Sequence, residues 1–133
     1  MQATMDHIVL NVLGVERELS FYCDVVGLQP ERVAEYRAGM VLFPSARLNA
    51  DTLIDLAPPE MWGGEKKGSA NLDHFCICIE KSEWSALEKR LEAAGTQREV
   101  GPVTLWGAHG DATAYYYKDP EGNRVEFRYY DSV

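Results

Sequence analysis

No stretch of this sequence gathers basic residues: thirteen Lys and Arg are scattered among twenty-one Asp and Glu, for a formal charge of -8. Without a run able to track a phosphate backbone, nucleic acid is not an expected partner. Long apolar runs are missing as well. None approaches the ~20 residues that cross a bilayer, and Met1 to Asp6 holds no basic segment leading into an apolar one, so neither a membrane span nor a secretory leader is expected. Cysteine is sparse, and Cys23, Cys76 and Cys78 form an odd set without paired spacing, which argues against a secreted disulfide framework. Together these absences predict a soluble, cytoplasmic protein.

What is present suits one compact domain. Apolar residues make up 46% of the 133 positions, enough to bury a core without disulfide or metal staples. The acidic surface tolerates a bound cation but repels a strongly anionic substrate unless positive side chains collect in a cleft. Arg37, Arg47, Arg124 and Arg128 are the candidates for that.

The most informative feature is an internal echo. Met5-Asp6-His7-Ile8-Val9-Leu10-Asn11-Val12 opens the first half and Leu72-Asp73-His74-Phe75-Cys76-Ile77-Cys78-Ile79 the second, each with an Asp-His pair at the head of an apolar strand. Apolar residues then recur at helical spacing, at Val15, Leu19, Tyr22 and Val26 and again at Trp84, Leu87, Leu91 and Ala94. Gly27 and Gly95 stand where a helix end favours a left-handed residue, and Ser82 with Glu83 marks a start for the second helix. Further strands are predicted at Glu31 to Tyr36, Met40 to Phe43 and Thr52 to Leu56, then at Gln97 to Val103, Ala112 to Lys118 and Arg124 to Tyr130. Asp119-Pro120-Glu121-Gly122-Asn123 reads as the turn joining the last two. Ala57 to Asn71, with Pro58, Pro59, Gly63, Gly64 and Gly68, reads as a linker. The class is therefore α+β: two βαβββ modules in tandem, about residues 4–57 and 71–131, with mixed sheets forming a cup-shaped site within one domain.

Alternate side chains on a strand share a face, so His7 lies with Val9 and Asn11, and His74 with Cys76 and Cys78. If the halves pack as pseudo-symmetric sheets, both histidines face one cavity. Near the end of each half an acid interrupts an apolar strand, Asp55 after Leu53-Ile54 and Glu126 after Arg124-Val125. A buried carboxylate needs compensation. A divalent metal ion held by His7, His74 and Glu126 supplies it, and two imidazoles with one carboxylate leave open positions for a substrate oxygen or dioxygen. The competing reading of Glu126 is an ion pair with Arg124 or Arg128, which share its strand face. Cys76 and Cys78 read as small core hydrophobes, with a thiolate beside the metal as the alternative.

The stretch Tyr115-Tyr116-Tyr117-Lys118-Asp119-Pro120-Glu121-Gly122-Asn123-Arg124-Val125-Glu126-Phe127 resembles the closing hairpin of the vicinal oxygen chelate superfamily, which includes glyoxalase I, fosfomycin-resistance enzymes, extradiol dioxygenases and bleomycin-binding proteins. Asn71 to Phe75 and Met5 to His7 are similar to the strands that carry its histidine ligands. The likeness covers essentially the whole chain. It implies an enzyme whose divalent metal (Fe, Mn, Ni, Zn or Co) chelates neighbouring oxygens of a small-molecule substrate, as a glyoxalase-like lyase or isomerase, or a thiol transferase. An extradiol-type dioxygenase and a metal-free drug-binding protein are the alternatives. The resemblance also implies a homodimer. A fourth ligand, usually Glu, ends the first module in glyoxalase-like members, and Asp55 stands there one methylene shorter, as a ligand, a water-mediated contact, a base or a residue that orients a neighbour. Trp106-Gly107-Ala108-His109-Gly110-Asp111 resembles a glycine-hinged loop, on which His109 is a candidate general acid or base or an exposed loop residue.

Overall fold

The computed structural model describes residues 2, 4–65 and 72–131. The chain divides into two compact units, Met1–Lys67 and Gly68–Val133, and each holds one βαβββ module. In the first unit β1 (His7–Asn11) leads into α1 (Val15–Leu19), which continues as a π-helical segment, Ser20–Val25. The strands β2 (Gln29–Glu31), β3 (Ser45–Arg47) and β4 (Leu53–Ala57) complete a sheet of order β1-β4-β3-β2. β1 and β4 run parallel and the remaining pairs antiparallel.

The helical stripe of Val15, Leu19, Tyr22 and Val26 is buried throughout, as its spacing predicts. The π segment is marked by the Val26 N–H bonding back to the Phe21 carbonyl at 2.9 Å. Both neighbouring rings, Phe21 and Tyr22, are buried there and meet edge to face at 4.9 Å.

The middle of the first module departs from the predicted strands. Only Gln29–Glu31 is extended. Arg32 turns left-handed, at φ 57°, and Val33–Arg37 forms a short helix, α2. Val33-Ala34-Glu35-Tyr36-Arg37 has a single β-branched residue, so nothing holds it extended once the chain has turned. The Arg32 side chain offsets the unfavourable backbone by donating to the Phe43 carbonyl at 3.2 Å and lying 4.6 Å over its ring. The predicted strand at Met40 to Phe43 is irregular, with Met40 and Leu42 exposed, and the true strand follows at Ser45–Arg47. The predicted linker holds another short helix, α3 (Pro59–Trp62), opened by proline and tied back by the Trp62 indole N–H to the Ala57 carbonyl at 2.9 Å. Gly68 and Asn71 of that linker lie outside the described residues.

The second unit follows its sequence pattern except at Trp106 to Asp111, expected as a glycine-hinged loop, where strand pairing continues to Gly107 and Gly110 and leaves only Ala108 and His109 as the turn. β5 (Phe75–Cys78), β6 (Arg98–Gly107), β7 (Gly110–Lys118) and β8 (Arg124–Tyr129) form a sheet of order β5-β8-β7-β6, again with the first and last strands parallel. The helix α4 (Lys81–Ala93) starts one residue earlier than Ser82, behind a Glu80 that offers no side-chain cap. It buries Trp84, Leu87 and Leu91, and Trp84 stacks on Tyr115 with centroids 4.0 Å apart. Its end is a Schellman turn at Gly95, φ 69°, with Thr96 N–H to the Leu91 carbonyl and Gly95 N–H to the Glu92 carbonyl, both at 2.9 Å. The turn from Asp119 to Asn123 is held by Asp119, whose carboxylate accepts from the backbone N–H groups of Glu121 and Asn123 at 2.9 Å. Among the described residues no helix is long and apolar enough to cross a membrane.

Candidate metal centre

In the second unit, His74 ends the approach to β5, and Glu126 sits mid-strand in β8 between Cys76 of β5 and Tyr116 of β7. His74 Nδ1 is 2.6 Å from Asp73 Oδ2, and its Nε2 is 3.2 Å from Glu126 Oε1. The Tyr116 ring meets the imidazole edge to face at 5.0 Å. The tautomer with its proton on Nδ1, donated to Asp73, would leave the Nε2 lone pair for a cation on the Glu126 side.

Glu126 is 1% exposed, and its charge is already answered. Arg128, two residues along the same strand face, reaches Glu126 Oε2 with Nε at 2.7 Å and Nη2 at 2.6 Å. Burial pushes the Glu126 carboxyl up, but hydrogen bonds from Arg128, Cys76 and Tyr116 outweigh it and hold the group below its usual range. Of the two partners considered from the sequence, Arg128 makes this pair. Arg124 turns instead to Asp73 at 3.2 Å and Glu99 at 3.1 Å and lies 4.8 Å over the Tyr116 ring. A cleft of about 330 Å³ opens beside His74, lined by Asp73, Lys118, Asn123 and Arg124.

Cys76 and Cys78 are not core residues. Both are exposed, because the strand turns Ile77 inward and its neighbours outward with His74. Although the Cys76 residue is exposed, desolvation of its thiol by neighbouring groups, reinforced by the Glu126 charge, pushes it up to about 12, so it is a neutral thiol rather than a thiolate.

The first unit repeats the motif with different support. His7 Nδ1 is 2.6 Å from Asp6 Oδ2. The hydrogen bond to Asp6, followed by the charge of Asp55, raises the His7 pKa. Asp55, buried in β4, stands opposite Val9 and Ser45, and the Ser45 hydroxyl donates to its Oδ1 at 2.6 Å. Ser45 carried no signal in the sequence.

His109 occupies the tip of the tight β6–β7 hairpin. Its backbone N–H donates to the Tyr130 hydroxyl at 3.2 Å and its ring meets that of Tyr130 edge to face at 5.5 Å. None of its described contacts reaches His74 or Glu126.

Within either unit, no group of three or more His, Cys, Asp or Glu is gathered among the described residues as a metal site. The second unit supplies an imidazole and a carboxylate oxygen side by side, the first an imidazole with a nearby carboxylate. Neutral nitrogen and anionic oxygen donors, each imidazole oriented by an aspartate behind it, fit a borderline divalent cation.

Residues 4–127 match the family model described as the Glyoxalase/Bleomycin resistance protein/Dioxygenase superfamily. A probable lactoylglutathione lyase of Synechocystis is 26% identical over 90% of this chain and 90% of its own length. A virulence protein of Salmonella typhimurium is 27% identical over 95% of this chain and 83% of its own. The crystal structure of a glyoxalase/dioxygenase from Nostoc punctiforme shares the fold with a TM-score of 0.75 at 21% identity, covering 97% of this chain and 92% of that one. The tandem βαβββ modules, with an Asp-His pair opening each and an acid in the strand beside it, therefore place this chain in the Glyoxalase/Bleomycin resistance protein/Dioxygenase superfamily.

Proposed function

We propose that the chain is a divalent-metal-dependent enzyme of this superfamily, with His7, His74 and Glu126 as ligands and a small molecule bearing neighbouring oxygens as substrate. The observation that carries this is His74, fastened through Nδ1 to Asp73 and presenting Nε2 3.2 Å from a buried carboxylate oxygen of Glu126. The Asp6–His7 pair repeats the orienting half of that arrangement. A bound divalent ion would act as a Lewis acid toward the substrate oxygens.

The chain's own residues supply the rest. Asp6 and Asp73 fix the two imidazoles, and the buried sheet around Glu126 keeps water from that carboxylate. Asp55, steadied by the Ser45 hydroxyl, is the proposed proton acceptor, or a further ligand. His109 at the hairpin tip is the proposed second acid or base. The likeness to a probable lactoylglutathione lyase supports a lyase or isomerase over a transferase. Cytoplasmic location and a homodimer belong to the same proposal.

Metal content by elemental analysis, for protein purified without added metal or chelator, tests the reading. About one equivalent per chain in the parent and little in His74→Ala and Glu126→Ala is the expected result. No metal in the parent, even after reconstitution with Fe(II), Mn(II), Ni(II), Zn(II) or Co(II), refutes it.

A metal-free binding protein is the second reading, and the Arg128–Glu126 pair favours it. Glu126 already has a compensating charge without any cation. On that reading chelation leaves the melting temperature unchanged.

A further inference from the structure

We propose that Arg128 is a positioning residue for Glu126: its guanidinium, admitted by the missing side chain of Gly107, holds Oε2 so that Oε1 is the oxygen presented beside His74 Nε2. The inference rests on the metal reading above.

A glutamate carboxylate turns freely about its last torsion, which has broad wells rather than sharp ones. Here one guanidinium engages a single oxygen: Nε donates to Oε2 at 2.7 Å, and Nη2 stands 2.6 Å from the same oxygen as an ion-pair contact. That leaves Oε1, at 3.2 Å, toward His74. A fork-to-fork pairing would have engaged both oxygens.

The guanidinium is in turn fixed from behind. Its Nη1 donates to the Tyr130 hydroxyl at 3.3 Å and its Nη2 to the Trp106 carbonyl at 3.4 Å. Tyr130 also accepts the backbone N–H of His109, so the β6–β7 hairpin tip anchors the group that anchors Glu126. The side chain needs room to lie this way. β7 carries alanines on that face, at Ala112 and at Ala114 opposite Arg128, and both are buried. Gly107 completes the passage. A Cβ there would stand 1.7 Å from Arg128 Nη1, 2.7 Å from its Cζ and 2.9 Å from the Tyr130 hydroxyl. Gly107 has no left-handed backbone to explain it, so glycine is required for space alone.

The test is titration of the metal-free protein with Co(II), followed by calorimetry and by the visible spectrum of the bound ion, in the parent and in Arg128→Met, Arg128→Lys, Gly107→Ala and Glu126→Ala. Outer partners of metal ligands typically affect affinity about 10–100-fold. Arg128→Met and Gly107→Ala are expected to weaken binding by that factor and shift the spectrum. Arg128→Lys keeps the charge but loses the planar pair of donors, and should fall between them and the parent. Thermal melts of the metal-free variants establish that they fold. If Arg128→Met does not fold, Arg128→Lys and Gly107→Ala decide. Co(II) binding that is lost in Glu126→Ala but unchanged in affinity and spectrum in the Arg128 and Gly107 variants overturns this inference and leaves the metal reading standing. A parent that binds no Co(II) overturns both.

Discussion

Breaking the Glu126–Arg128 pair from one side should cost far more stability than removing it altogether. The side chains of Glu126 and Arg128 are 2% and 9% exposed, so neither charge has solvent to fall back on. Arg128→Met leaves a buried carboxylate with only the His74, Cys76 and Tyr116 contacts. Losing one member of a buried pair costs about 3–5 kcal/mol, which in a chain of this size lowers the melting temperature by about 10–15 °C. Glu126→Gln combined with Arg128→Met removes both charges at similar volume and should recover most of that loss. Urea unfolding of the parent, both single variants and the double variant closes the cycle. The pH dependence supplies an independent sign. Because the folded-state pKa of Glu126 is depressed below 4.5, its contribution is present above the unfolded value and lost as pH falls through the folded one. The gap between parent and Glu126→Gln should therefore be full at pH 7 and close in acid below the ordinary carboxylate range. A loss under about 1 kcal/mol in Arg128→Met, the size expected of an exposed pair, would refute this account.

With its pKa at about 12 instead of 9.0, Cys76 has a thiolate fraction at pH 8 roughly a thousandfold below that of an ordinary thiol, and its alkylation by iodoacetamide, followed by mass spectrometry, should be correspondingly slow. Glu126→Gln should speed it, since the neighbouring charge is one cause of the shift; an unchanged rate would show that the carboxylate does not govern the thiol. The homodimer is expected to appear as twice the chain mass in light scattering, and a monomeric mass sinks that part of the proposal.

The second module was legible in the order and type of its elements, most of them long enough for periodicity to speak, but not in the β6–β7 hairpin, where strand pairing runs on through the expected loop to Gly107 and Gly110. α4 buries three stripe residues and β6 to β8 each run at least six residues. The first module was legible at its ends and misread in the middle. β2 and β3 are three residues each, shorter than any alternation can establish. A left-handed Arg32, stabilised by contacts with Phe43 eleven residues on, is a tertiary effect no local pattern announces. The candidate site divides in the same way. The Asp-His pairs and the interrupting acids stood out because polar residues broke apolar strands. Ser45 and Gly107 did not, since a hydroxyl or a glycine in a mixed segment acquires its meaning only from what the register sets opposite it.

That register also shows where the two halves of the echo part company. β4 aligns Asp55 with Val9 and Ala57 with Asn11, as β8 aligns Glu126 with Cys76 and Arg128 with Cys78. Ser45 faces Asp55 as Tyr116 faces Glu126. Asp55 and Glu126 are thus equivalent positions, and so are Ala57 and Arg128. An alanine cannot lend a charge, so at this register position Asp55 has a hydroxyl beside it where Glu126 has a guanidinium and a phenol. A carboxylate held by one hydroxyl can turn and exchange a proton; one held through a single oxygen by a guanidinium hydrogen bond and ion pair presents its other oxygen in a fixed direction. The repeat has therefore kept its acid in both halves while giving each a different support, which favours proton transfer over ligation as the role of Asp55 and ligation as that of Glu126.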